Sequence, residues 1–283
     1  MEQFKIWSLA GKIINVKDLV NGGNFFVENL LKANSHHTNK WDRNKHVPIS
    51  DLMKRELWWW NTLLVVCSKR TKYPNPDTCL PAWSLAGYTD AAGGTTLSLG
   101  SGCGAILEEW WTYIPWSECI NGGGQTKDGK EIARKLSALE LVGPLAILCG
   151  APDKVRGQPL KIYVDNAGSG GIWRKGYSTS CNLCSTLVRT IFQVSTALEC
   201  RVDIVKITRC SNSGADMADA LSKAEFLRFK QVASEASITV QENMGKLPEA
   251  LLDWIDLPFS DWYLAENILS EMCHYTNLLG YNK

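Results

Sequence analysis

From Ser84 onward the chain is a series of short apolar runs that end at turns, first in close succession and then alternating with longer helical stretches. Ser84 to Asp90 is apolar and runs into Ala91-Ala92-Gly93-Gly94, which reads as a strand entering a turn. Leu99 to Leu107 and Trp110 to Trp116 read as a second and a third strand, and Gly122-Gly123-Gly124 as a loop. From Lys130 to Leu148, the residues Ile132, Leu136, Leu139 and Val142 recur at helical spacing. A strand over Leu160 to Asp165, a helix over Thr179 to Leu198, a strand over Val202 to Ile207 and a helix over Ala215 to Val232 follow. Strands joined by short turns, then strands alternating with helices, predict an α/β fold with a mixed five-stranded sheet flanked by helices.

The flanks have a different texture. Residues 1 to 68 read mostly as helix, with Leu19 and Val20, then Phe25, Phe26, Leu30 and Leu31, on one apolar face and a break at Gly22-Gly23. Asn34 to His46 is polar and reads as an exposed loop; His36-His37 there has no acidic or cysteine cluster to support a metal. Pro48-Ile49-Ser50-Asp51 looks like a helix start, with Ser50 or Asp51 as cap. Lys69 to Pro81 carries Pro74, Pro76 and Pro81 and is the best linker candidate. The expected organisation is a helical segment over 1–75, an α/β domain over 76–235 and a helical tail over 236–283, the last suggested by Leu247, Leu251, Leu252, Trp254 and Ile255, then Ile268, Leu269 and Met272. Trp58-Trp59-Trp60 stand consecutively on a predicted helix, so they cannot all point one way. Either one of them meets a second surface, which would dock the helical segment on the α/β domain, or they fill the segment's own core.

Composition narrows the classes. Hydrophobic residues make up 45% and charged residues 21%, which excludes global disorder. The net charge of +1 argues against an autonomous, tightly binding nucleic-acid module, but not against a nuclease whose metal ions neutralise phosphate locally. The opening residues lack a secretory signal and no window reaches 18 uninterrupted apolar residues, so the expectation is no membrane span, a cytoplasmic or nuclear setting and reduced thiols. Cys181 and Cys184 form a lone Cys-x-x-Cys inside a helical pattern and read as core thiols rather than a zinc site, which needs four well-spaced ligands.

The chemistry lies in acids at element ends. Asp90 closes the first strand, Glu140 sits in the first long helix beside Leu139 and Leu141, Asp165 closes the strand Lys161-Ile162-Tyr163-Val164, and Asp216 and Asp219 stand at the head of the last helix. A carboxylate at the end of a buried strand is costly unless something cationic compensates it. Several converging carboxylates repel one another, and a divalent cation resolves that. Hard oxygen ligands suit Mg²⁺ or Mn²⁺, and two such ions can activate a water and stabilise the leaving oxygen in a displacement at phosphorus. Asp216 lies in the first helical turn, where an acid serves the helix dipole. Asp219 lies a turn further in and is the better fourth ligand.

The order of these acids resembles the ribonuclease H domain of reverse transcriptases. Tyr88-Thr89-Asp90-Ala91-Ala92, Leu139-Glu140, Tyr163-Val164-Asp165-Asn166 and Ala218-Asp219-Ala220-Leu221-Ser222-Lys223 match its four motifs in order. The last phrase is the most specific and is similar to the end of this domain in long-terminal-repeat and tyrosine-recombinase retrotransposons. Ser8-Leu9-Ala10-Gly11-Lys12, Phe25-Phe26 and Glu56-Leu57-Trp58-Trp59-Trp60 look like the thumb and connection segment between polymerase and ribonuclease H in those elements. The resemblance covers about residues 5 to 230. It implies a ribonuclease H-like sheet, cleavage of the RNA strand of RNA–DNA hybrids, and two Mg²⁺ or Mn²⁺ ions on Asp90, Glu140, Asp165 and Asp219, with Asp165 helping to bridge both. It also implies a polymerase part of the same polyprotein as partner. The family often has a His shortly before the fourth acid. Ile207-Thr208-Arg209-Cys210-Ser211-Asn212 has none, which leaves Arg209, or no side chain, for proton transfer or product release. Gly143-Pro144 follows Glu140 and is expected to kink its helix.

Three other readings compete. A polymerase box would need adjacent aspartates, and Asn166 breaks it. A transposase or integrase core of the same fold would want a late Glu on a helix, for which Glu225 is available beside Asp216 and Asp219. A degenerate or domesticated scaffold would keep the fold and bind a partner without catalysis.

Overall fold

In the computed structural model of this chain, residues 3–17, 23–35, 46, 48–67, 82–93, 101–116, 129–207 and 212–255 are described. They fall into two compact units, drawn from Met1–Leu80 with Lys175–Thr179, and from Pro81–Arg174 with Ser180–Lys283. His36, His37, the linker candidate Lys69 to Pro81, Arg209 and the tail beyond Ile255 lie outside the described residues. Among the described residues no helix is long and apolar enough to cross a membrane.

The first unit contains helices α1 (Gln3–Val16), α2 (Glu28–Ser35) and α3 (Asp51–Cys67), with a 3₁₀ turn over Gly23–Phe26. Ser50 is the cap of α3, its hydroxyl accepting from the Met53 amide at 3.2 Å. Glu56 is buried because its carboxylate accepts from the Asn29 and Leu30 amides and from the Asn29 side chain, which ties α3 to the start of α2. The Trp59 ring stacks on Phe26 at 4.2 Å, and the Trp60 indole donates to the Phe26 carbonyl at 2.8 Å. Two of the three consecutive tryptophans thus pack within this unit, and Trp58 stays 68% exposed.

The second unit is the expected α/β layer. Strands β1 (Leu85–Ala91), β2 (Gly102–Leu107), β3 (Trp110–Pro115), β4 (Pro159–Val164) and β5 (Arg201–Lys206) form one mixed sheet in the order β3-β2-β1-β4-β5. β1 pairs antiparallel with β2 and parallel with β4. Its helices are α4 (Gly129–Gly150), the single turn α5 (Pro152–Val155), α6 (Ala167–Lys175), α7 (Asn182–Ala197), α8 (Ser213–Ser222), α9 (Phe226–Glu235) and α10 (Glu249–Ile255). α4 continues through Gly143-Pro144, as the helical pattern over Lys130 to Leu148 predicts. Pro144 has no N–H to donate to the Glu140 carbonyl four residues earlier, but burial on both sides holds the segment helical: Leu139, Leu141, Val142, Leu145 and Ala146 are all in the core.

The long helix expected over Ala215 to Val232 is instead two. Ala224 turns left-handed at φ 56°, and the Ala224 and Glu225 amides bond back to the Leu221 and Ala220 carbonyls. This is a Schellman ending. α7 and α9 end the same way, with Glu199 and Ser237 in the left-handed position. None of the three is the glycine that would have marked the stop. Beyond α9, residues 236–248 form no helix; this stretch lies along β3, where Gln241 bonds to Glu109 and Gly245 to Trp111. Within the described residues, the helical expectation for the tail is met at α10 alone.

Two helices close on the central strands from opposite faces. α4 packs on β1 and β2 where Gly143 meets Thr89; a Cβ at Gly143 would lie 2.5 Å from Thr89 Cβ. α8 packs on the other face, where a Cβ at Gly104 would lie 2.5 Å from Leu221 Cβ and 2.6 Å from the Ala218 carbonyl. Under α8 and α9 lies a core of Ile106, Trp111, Met217, Ala218, Leu221 and Phe229. Gly104→Ala should therefore lower stability by about 1–3 kcal/mol, since α8 must move away from backbone. Gly171→Ala on α6 meets nothing within 4 Å. It should leave stability unchanged or raise it by up to about 1 kcal/mol. Urea unfolding of the two variants checks both.

Candidate metal centre

The strand register levels the first two acids. Thr89 pairs with Val164 across the parallel β1–β4 ladder, so Asp90 and Asp165 follow side by side at the carboxyl ends of these strands. Side chains alternate along a strand. Thr89 faces α4 and Asp90 the α8 side, where the Ser222 hydroxyl donates to Asp90 Oδ2 at 2.5 Å. Glu140 reaches the same place from α4. Asp90, Glu140 and Asp165 each bring a carboxylate oxygen within 4.8 Å of the others, the first two buried and the third half-buried.

Polar contacts tie down one acid directly and the backbone beside the others. Asp90 is oriented by Ser222, itself fully buried. Ser222 Oγ also lies 2.8 Å from the Asp219 carbonyl, but a hydroxyl has one proton, and a carboxylate is the stronger acceptor. After Asp165, the Asn166 side chain accepts from the Gly168 and Ser169 amides at 2.7 and 3.2 Å, closing the turn into α6. Ser169 Oγ then donates to the Ser137 carbonyl of α4 at 3.2 Å, one turn before Glu140. That tie joins the start of α6 to α4 close to both Asp165 and Glu140.

The negative charge of the acids registers on Cys103 of β2, which pairs with Ala91 of β1. Burial first, then the charges of Glu140 and Asp90, hold its thiol well above the ordinary cysteine range, so it remains protonated and inert. The donor set fits a hard divalent cation: oxygens alone, from carboxylates on three elements.

Asp219 is placed differently. It lies on α8, is buried, and its carboxylate is outside the group formed by the other three. Lys223 Nζ lies 2.8 Å from both of its oxygens, and Arg228 of α9 donates to Oδ2 at 3.1 Å. Ser222, three residues on, lies between its backbone carbonyl and Asp90. Asp216 does not cap α8; Asn212 does, accepting from the Ala215 amide at 3.1 Å, and Asp216 lies half-buried in the first turn. Sequence reasoning missed Ser222, the Asn166 turn, the Ser137 tie and the two cations on Asp219. The serines carried no periodic signal, although Ser222 and Lys223 stand in the most specific motif. Cys181 caps α7, its sulfur accepting from the Cys184 amide at 3.4 Å, and Cys184 lies in the core.

Compared with known proteins, the chain matches no family model and no curated protein sequence. The assignment of chemistry rests on the residues themselves.

Glu140→Gln removes one of three crowded charges while keeping the shape. The metal-free variant should melt at the same temperature as the parent or above it, and any rise in melting temperature that Mg²⁺ gives the parent should be lost. A parent-like Mg²⁺ response in the variant would exclude Glu140 as a ligand.

Proposed function

We propose that this chain is a metal-dependent endonuclease of the ribonuclease H type, which hydrolyses the RNA strand of RNA–DNA hybrids as part of a retroelement reverse transcriptase. The observation that carries this reading is the convergence of Asp90, Glu140 and Asp165 at the carboxyl edge of the β1–β4 pair. The mixed sheet order β3-β2-β1-β4-β5, with helices on both faces, is compatible with a ribonuclease H-like fold. The sequence motifs around the same three acids, and around Asp219, supply the family resemblance.

In this reading Asp90, Glu140 and Asp165 hold Mg²⁺ or Mn²⁺, with Asp219 as the fourth ligand. When bound, the ions supply a nucleophilic water at neutral pH and neutralise charge on the leaving oxygen. The chain's own contribution is pre-organisation. Ser222 fixes the Asp90 carboxylate, the Asn166 turn fixes Asp165, and the α4 packing at Gly143 fixes Glu140. A site so held need not reorganise as charge develops. Partners under this proposal are the hybrid and the polymerase part of the same polyprotein. The segment over residues 1 to 75 serves as its thumb or connection segment.

One observation favours a second reading, a non-catalytic scaffold of the same fold: Asp219 is engaged by Lys223 and Arg228 rather than gathered with the other acids. An assay separates the two. The full chain, with Mn²⁺ and a labelled RNA–DNA hybrid, should cut the RNA strand and leave double-stranded DNA intact, and Asp165→Asn should lower the rate by orders of magnitude. An intact hybrid in both Mg²⁺ and Mn²⁺ would favour the scaffold, and an Asp165→Asn variant that cuts at the parental rate would remove Asp165 from the site.

A further inference from the structure

The two cations on Asp219 differ in what else they touch. Arg228 also donates to Glu225 at 2.9 Å, a partner that keeps it in place whatever Asp219 does. Lys223 is 43% exposed, and Asp219 is its one ion-pair partner among the described residues. Asp219 is 8% exposed. Its charge therefore needs compensation, and here the compensation comes from the chain itself. The arrangement depends on the left-handed Ala224, which turns the chain between α8 and α9 so that Arg228 comes back onto Asp219.

Resting on the metal-site reading above, we infer that Lys223 and Arg228 form an internal counter-cation latch on Asp219, which competes with a divalent ion for that carboxylate. Asp219 carries either the latch or the metal. With the ion bound, Lys223 is released into solvent beside the site and Arg228 falls back on Glu225. The latch explains why three acids converge and the fourth stands apart: the fourth already holds its positive charge. It also makes metal loading and the ion pair mutually opposed, each weakening the other by the same factor.

The test is a calorimetric titration of MnCl₂ into the substrate-free full chain. Lys223→Gln should bind Mn²⁺ more tightly than the parent, on the order of five- to tenfold. Lys230→Gln removes another exposed cation, one of α9 that makes no ion pair with Asp219, and should stay within about twofold of the parent. In an Asp219→Asn background, the added Lys223→Gln change should have no effect, because the carboxylate through which it acts is gone. The latch is overturned if Lys223→Gln matches Lys230→Gln, or if its effect persists without the Asp219 carboxylate. Parent-like Mn²⁺ binding alongside either result would leave the metal site standing and remove the latch alone. Absence of Mn²⁺ binding in every variant would remove both.

Discussion

Three carboxylates crowded at one edge of a sheet are the constraint around which the second unit is arranged. Two unit charges about 4 Å apart repel by roughly 4 kcal/mol at the effective dielectric near a protein surface. Asp90, Glu140 and Asp165 offer oxygens within 4.8 Å of one another, and two of the three residues are buried. Such a group is costly to assemble. It is held by the parallel register of β1 and β4, by the seating of α4 against Thr89, and by two polar ties, Ser222 to Asp90 and Ser169 to Ser137.

The two glycine contacts show how backbone approach becomes side-chain geometry. At Gly143 the helix α4 comes close enough to β1 for Glu140, three residues earlier, to reach over the strand end. At Gly104 the helix α8 comes close enough to β2 for Ser222 to reach Asp90, which pairs with Gly104 across the ladder. A methyl group at either position is expected to push its helix outward and carry Glu140 or Ser222 with it. Stability and site geometry are linked here through the same atoms.

Much of the α/β unit was legible in the sequence, because its strands are short, apolar and separated by turn residues. All five predicted strands overlap the observed ones, and the acids at Asp90 and Asp165 marked strand ends correctly. What escaped was anything not encoded by periodicity. The break between α8 and α9 is made by Ala224, and the ends of α7 and α9 by Glu199 and Ser237, so no glycine announced a stop. The helix over Lys130 to Leu148 was legible through Pro144, since burial along α4 outweighs one missing hydrogen bond. For the site, the joint placement of four acids identified three that converge. The fate of Asp219 depended on Lys223 four residues on and Arg228 beyond a turn, and spacing alone could not say whether those side chains would claim it.

If the Asp90–Glu140–Asp165 cluster holds a divalent metal, crystals of the chain soaked in Mn²⁺ should show an anomalous peak bonded to carboxylate oxygens of all three residues. That peak should be absent in Asp165→Asn crystals soaked alongside. Peaks confined to other acids, with the three carboxylates unmoved and no ion between them, would contradict it.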